Sequence, residues 1–312
     1  MTPELAQAYR TCRRLHASHG RTYYLATLLL PAWKRPYVHA LYGFARYADD
    51  VVDGVDGVDG VDGVGEADGV APQPGEVLRA LENDLLAALA SDGTALPTAR
   101  DTRTDVLRAV ADTAARWDLP TEHFTAFFAS MRMDLSVTEY DTWDDLLGYV
   151  EGSAAVIGLQ MLPILEPTSR SAARYARDLG IAFQLANFLR DVGEDLRRGR
   201  IYLPQDSLRH FGVTRERLAT GVVDGPVRRL LAYEIARCRE IFRSAEPGIR
   251  LLHPTSRDCI RTAFTLYAEI LDAIERADYQ VLDRRVAVPL PRRIAVAGPG
   301  LWRATRVRWA IS

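Results

Sequence analysis

The stretch "LGIAFQLANFLRDVGED", residues 179–195, decides how the rest of the chain is read. Its polar residues Gln184, Asn187, Asp191 and Asp195 step by three, four and four. At the helical turn per residue these fall within a sector of about 80°. Leu179, Ala182, Phe183, Ala186 and Phe188 make much of the remaining surface apolar. Such a helix is mostly buried. Two aspartates on its polar line then need cations, because an uncompensated buried carboxylate is costly.

A second segment answers the first. In "YGFARYADDVVD", residues 42–53, Asp49 and Asp53 lie four apart and share a helix face, which Arg46 and Tyr42 extend. Carboxylates that keep water and meet phosphates are the usual setting for Mg²⁺. Spacing alone therefore favours a Mg²⁺–diphosphate site between two facing helices over structural salt bridges.

The chain around these segments reads as helical nearly throughout, one all-α domain over residues 1–312. The segment 168–199 predicts a helix of about thirty residues, capped by Thr168 or Ser169 and ended by Gly199. Further helices are expected at roughly 225–246 and 256–282. No sustained period-2 alternation is present, so strands should be minor. The composition breaks only at 54–75, where "VDGVDGVDGVDGVG" (52–65) carries glycine at every third position. That period suits neither helix nor strand, and the run lacks the layout of an EF-hand loop or a calcium-binding nonapeptide repeat. A non-catalytic connecting loop is the expectation, since long surface loops cost little closure entropy.

Composition narrows the function. Net charge is −2, so no global field favours nucleic acid. Three scattered cysteines without a Cys-x-x-Cys suit a reducing cytoplasm. No basic n-region with an apolar core opens the chain, and no apolar run approaches the ~18 residues of a membrane span.

The two aspartate segments, read on through "LRRGRIYLP", resemble the aspartate-rich motifs of the squalene/phytoene synthase family. "RMDL" (132–135) and "YVEGSAAVIGLQMLPIL" (149–165) are similar to its middle signatures. "YAEILDAIERADYQVLDRRVAVPLPRRIAVA" (267–297) resembles phytoene synthases in particular. Coverage runs from about Ala17 to Ala297 apart from the repeat. Two departures stand out: Val150 replaces a smaller residue or Cys, and "HGRTYY" (19–24) replaces a Ser-Lys-Ser-Phe-like stretch. No motif aspartate is missing.

The resemblance implies an isoprenoid-synthase bundle of helices around a central cavity. It implies the head-to-head joining of two geranylgeranyl diphosphates to phytoene through a cyclopropyl diphosphate, in carotenoid biosynthesis. The alternative is squalene, dehydrosqualene or hydroxysqualene formation from farnesyl diphosphate. Asp49, Asp53, Asn187, Asp191 and Asp195 would hold Mg²⁺, or Mn²⁺ in its place, with Asp50 adjacent. Arg46 and Tyr267 join the aspartates as catalytic candidates. Tyr42, Gln184, Asn187, Arg190, Arg284 and Arg285 would contact diphosphate, and His19, Gly20, Arg21 and Thr22 would form a flap over it. No NADPH is expected, because no Gly-x-Gly-x-x-Gly opens a helix after a strand.

An allylic cation needs a dry, apolar cavity. Tyr23, Tyr24, Phe44, Phe127, Phe128, Tyr149, Phe183 and Phe188 are its candidate wall residues, although plain core is the commoner place for each. The small residues from Gly152 to Gly158 either bring helices close or leave room for a long chain. Expected partners are prenyl diphosphates, a downstream desaturase and, through a basic C-terminal tail at 289–312 with Trp302 and Trp309, the inner face of the cell membrane; the alternative for that tail is arginines paired with acidic helices and tryptophans packed on the bundle. The expected location is the cytoplasm, with that peripheral contact.

Overall fold

The first of the site-bearing helices, α3 (Arg35–Val52), starts with proline in its first turn and ends one residue before Asp53. The computed structural model describes residues 1–54, 72–91, 96 and 99–311, the last eight by backbone alone. The body of the Val-Asp-Gly run, 55–71, and the loop expected there lie outside the described residues.

Before α3 come α1 (Pro3–His19), capped by the Thr2 hydroxyl, and the short α2 (Arg21–Thr27). After it follow α4 (Pro74–Ala90), α5 (Thr102–Trp117), α6 (Thr121–Met133) and α7 (Trp143–Val150). A π-helical turn, Glu151–Ala155, joins α7 to α8 (Val156–Ile164). Then come α9 (Ala172–Arg197), α10 (Gln205–Phe211), α11 (Arg215–Ala219), α12 (Gly225–Ala245), α13 (Pro254–Arg276) and α14 (Leu290–Ile311). Among the described residues the only β pairing is two isolated bridges, Glu139 with Ile201 and Pro167 with Leu252.

One hydrophobic core runs through the bundle. On one side α1, α3 and α5 pack together, and on the other α9 packs against α8, α12, α13 and the π turn. The stretch 143–164 is by average composition long and apolar enough to cross a bilayer, although Asp144, Asp145 and Glu151 interrupt it. Its position between α6 and α9 makes it a central helix of the bundle instead. All three cysteines are free and buried.

Small residues permit this packing. A Cβ on Gly152 would lie 2.4 Å from the Ala126 carbonyl, one on Gly158 2.2 Å from that of Ala176, and one on Gly180 2.4 Å from that of Ala154. Close approach is thus their first role, and Gly158 and Gly180 also face the cavity.

Three boundaries differ from expectation. α9 begins at Ala172, because Thr168 donates instead to the Leu251 carbonyl beside the Pro167–Leu252 bridge. α13 stops at Arg276, since Asp278 and Tyr279 turn left-handed (φ 56° and 61°) and the chain bends towards α9. The expected tail at 289–312 is helical in its described part. α14 packs on α13 and α2, and Arg292 and Arg303 pair with Glu269 and Asp258 of α13.

Candidate active site

The polar line of α9 leads out of a cavity. A space of about 240 Å³ opens among α3, α8, α9, α13 and the segment 245–252. Along α9 its lining runs from Ala172 to Asn187, a distance of about 22 Å at the helical rise. Ala176, Leu179, Gly180 and Phe183 make that wall apolar, and Gln184 and Asn187 make its upper end polar. Asp191 and Asp195 continue the same helix face one and two turns further on. Tyr42 and Ala45 of α3 line the opposite side.

At this upper end each motif is half neutralised. Asp53 receives Arg198 at 2.8 Å and Arg200 at 3.0 Å, so the end of the second motif clasps the first. Asp191 receives Arg190 at 2.8 Å and a two-pronged contact from Arg285 at 2.8 and 3.1 Å. Arg46 contacts Asp49 at 2.9 Å and also pairs with Asp50. Asp195 is the exception. Burial, followed by the charges of Asp191 and Glu194, pushes its carboxyl up to about 7. Burial also pushes Asp49 up to about 6, with Asp53, Asp50 and Asp134 adding to the effect and Arg46 opposing it. Half of the Asp49 side chain remains open to water, which weakens that push.

This donor set fits divalent metal. Hard carboxylate oxygens crowd the mouth, and two of them lack enough positive charge to remain ionised at low cost. Among the described residues no three acidic or imidazole groups converge into a closed cage. The arrangement suits cations that arrive together with an anionic ligand.

The raised Asp195 group has a measurable consequence. A carboxyl whose folded-state pKa is elevated stabilises the protein at low pH. That contribution is lost as pH rises from the ordinary carboxyl range, about 4, through about 7. Asp195→Asn should therefore raise the melting temperature of metal-free protein at pH 8 by about 1–2 °C, roughly 1 kcal/mol after screening. The gain should shrink towards pH 4. A difference that does not change with pH, in thermal melts recorded across that range, counts against the assignment.

Of the remaining site candidates, Tyr267 lines the cavity, stacks on Phe183 at 4.2 Å and feels the charges of Arg190 and Asp191. Arg285 reaches Asp191, whereas Arg284 is exposed beside it. His19 and Arg21 are exposed at the joint of α1 and α2, with Thr22 half-buried. Gly20 lies against the Tyr42 ring, where a Cβ would come within 2.7 Å of the Tyr42 hydroxyl.

The aromatic wall is smaller than expected. Tyr23 and Phe183 line the cavity, joined by Tyr42, Tyr175 and Tyr267. Phe44, Phe127 and Phe128 pack on one another in the core, and Tyr149 and Phe188 stack with Tyr202 away from it. Tyr24 packs on His16 and His39. On each of these helices only the face turned inward across the bundle meets the cavity.

Two groups escape a reading of the aspartates alone. Arg200 touches both Asp53 and the Asp134 carbonyl, at 3.2 Å, linking three sequence segments through one guanidinium. Asp134 itself is buried and accepts the Tyr149 hydroxyl at 2.8 Å and that of Tyr202 at 3.1 Å. Burial pushes its carboxyl up to about 6 against those two hydroxyls and Arg200. The available signal was its place in "RMDL".

Comparison with known proteins agrees with this geometry. The profile of the squalene/phytoene synthase family matches residues 16–292. A 15-cis-phytoene synthase of Synechococcus elongatus is 35% identical over 96% of this chain and 94% of its own. A phytoene synthase of Arthrospira platensis is 37% identical over 91% and 89%. Among solved structures, a dehydrosqualene synthase with bound ligand superposes with a TM-score of 0.81 at 25% identity, over 95% of this chain and 96% of that one. A squalene synthase of Alicyclobacillus acidocaldarius gives 0.74 at 29%, over 89% and 97%. Enzymes of this kind act on prenyl diphosphates and generally need a divalent metal. With an apolar cavity opening onto two arginine-clasped aspartate motifs, and matches that span nearly its whole length, the chain belongs to the squalene/phytoene synthase family.

Proposed function

We propose that the protein joins two geranylgeranyl diphosphates head to head to give phytoene, as a prenyl transferase of carotenoid biosynthesis. The observation that carries this reading is the continuity of one helix face. The apolar wall of α9 passes through Gln184 and Asn187 into Asp191 and Asp195, and Arg198 and Arg200 tie this end to Asp53 of the first motif. A long hydrocarbon and its diphosphate would therefore lie end to end. Curated relatives named phytoene synthase, at 35 and 37% identity over more than nine-tenths of the chain, favour this product over squalene-type ones.

Two half-reactions account for the chemistry. The first joins the chains as a cyclopropyl diphosphate, releasing one diphosphate and, as the ring closes, one proton. The second releases the other diphosphate, rearranges the cation and loses a proton to form the central double bond, so no reductant is consumed. Asp49, Asp53, Asn187, Asp191 and Asp195 would hold Mg²⁺, which when bound would neutralise charge on the departing diphosphate. Arg46, Arg190 and Arg285 add fixed positive charge there, which matters most in a site sheltered from water. Tyr42 and Tyr267 stand at the polar end of the cavity, and the apolar wall keeps water from the cation. The deciding experiment incubates purified protein with Mg²⁺ and geranylgeranyl or farnesyl diphosphate, without NADPH. Phytoene from the geranylgeranyl substrate is expected. Dehydrosqualene from the farnesyl substrate alone would overturn the assignment.

The product has no polar group, so a bilayer is its natural sink and the route to a desaturase. We place peripheral contact on α14. Leu290, Ile294 and Leu301 share one helix face and are 63, 58 and 51% exposed. Arginines lie along the same helix, without an acidic residue. Vesicles containing anionic lipid should bind the protein in a salt-sensitive manner, and Ile294→Asp with Leu301→Asp should lower that binding about tenfold. Unchanged sedimentation with vesicles would remove α14 as the contact.

A further inference from the structure

Beneath the joint of α1 and α2 lies a cluster that neither the mechanism nor the motifs use. His16 of α1 and His39 of α3 are both buried, and their Nδ1 atoms approach to 2.9 Å. A hydrogen bond between two Nδ1 atoms needs one ring to donate and the other to accept through a bare nitrogen. At least one ring is therefore neutral. Burial pushes His16 down to about 2 and His39 to about 4, which agrees. The Nε2 of His16 is buried and has no hydrogen-bond partner among the described residues. An apolar side chain of similar shape would fill this space without that orphan, so packing alone is a poor reason for a histidine here.

The orientation of His16 supplies a better one. Its ring lies parallel to that of Tyr42, with centroids 4.0 Å apart and planes 11° apart. Tyr24 closes on His16 edge-on, and Gly20 leaves room for the Tyr42 hydroxyl end. The bond to His39 fixes the rotation of the imidazole, and the imidazole face fixes the plane of Tyr42. We propose that His16, locked by His39, is a positioning residue that holds the Tyr42 hydroxyl at the polar end of the cavity. The inference rests on the reading of Tyr42 as a diphosphate contact.

The two can be separated by a double-mutant cycle. His16→Phe keeps an aromatic ring on Tyr42 but removes the lock, and His39→Leu removes it from the other side. Each should lower kcat about tenfold with less than a threefold change in KM for geranylgeranyl diphosphate. Melting curves would show that the variants are folded. His39→Asn, whose amide can stand near the Nδ1 position, should recover activity to within threefold of wild type. In a Tyr42→Phe background, His16→Phe should cost less than a further twofold, because the hydroxyl it positions is already gone. Multiplicative losses in the double variant, with Tyr42→Phe itself impaired, overturn the positioning role and leave Tyr42 in place. A Tyr42→Phe enzyme with wild-type kcat and KM removes both. Should His39→Leu fail to fold, the cycle with His16→Phe and the recovery in His39→Asn decide the question.

Discussion

Asp191→Asn should lower phytoene formation by about a thousandfold while leaving a folded helical protein, and Asp49→Asn should do the same. The magnitude is that of removing a preorganised electrostatic contact from a water-poor site. Both substitutions keep side-chain volume, so packing is spared. Asp191 is held by Arg190 and Arg285, and its loss would leave both guanidinium groups without their carboxylate as well as weaken the metal site. Asp49 is open to the cleft and paired with Arg46 of its own helix, so the fold depends on it little. Single-turnover assays at saturating Mg²⁺ provide the measurement, with circular dichroism as the control for folding. Rates within a few-fold of wild type in both variants would remove these residues from the site.

Gly193→Ala should be nearly as damaging, for a different reason. The added Cβ would lie 2.0 Å from the Leu282 carbonyl oxygen and 2.5 Å from its carbon, both backbone atoms. The Gly193 amide also donates to the Val281 carbonyl at 3.1 Å. The segment that follows α13 thus lies directly on α9, and three residues after Leu282 it delivers Arg285 to Asp191. A methyl group here has no flexible neighbour to displace, so the strand of backbone must move away. Overpacking of this kind costs about 1–3 kcal/mol, or roughly 2–5 °C in melting temperature for a chain of this size. Activity should fall at least tenfold as Arg285 is withdrawn. Comparison with Arg285→Ala in the same assay tests the route: the Gly193 variant should lose at least as much activity and also melt lower. A Gly193→Ala protein with wild-type stability and activity would show that the segment can move without consequence.

Helical periodicity and residue chemistry are local properties, and they carried much of the reading. The steps from Gln184 to Asp195, and from Tyr42 to Asp53, follow from helix geometry alone, so both polar lines were legible before any packing was known. So was the all-α class, since an apolar stripe with a 3.6-residue period has few other uses. Helix ends were less legible. Thr168 offers a good cap, yet its amide goes to Leu251, a residue distant in sequence. The C-terminal arginines suited either lipid docking or pairing with acidic helices, and composition cannot reveal that Glu269 and Asp258 stand opposite Arg292 and Arg303.

Which aromatic residues face the substrate space was also undecided by the sequence. Phe127 and Phe183 are equally apolar, and only the direction from which neighbouring helices approach sends one into the core and the other to the cavity. The sequence by itself determined the chemistry on each helix, because residues three and four apart share a face whatever surrounds them. The tertiary structure alone decided the partners. The clasp of Arg198 and Arg200 on Asp53, the contact of Arg285 with Asp191 and the lock of His39 on His16 join residues 145, 147, 94 and 23 positions apart. No local rule relates such positions; what brings them together is the burial of a shared core.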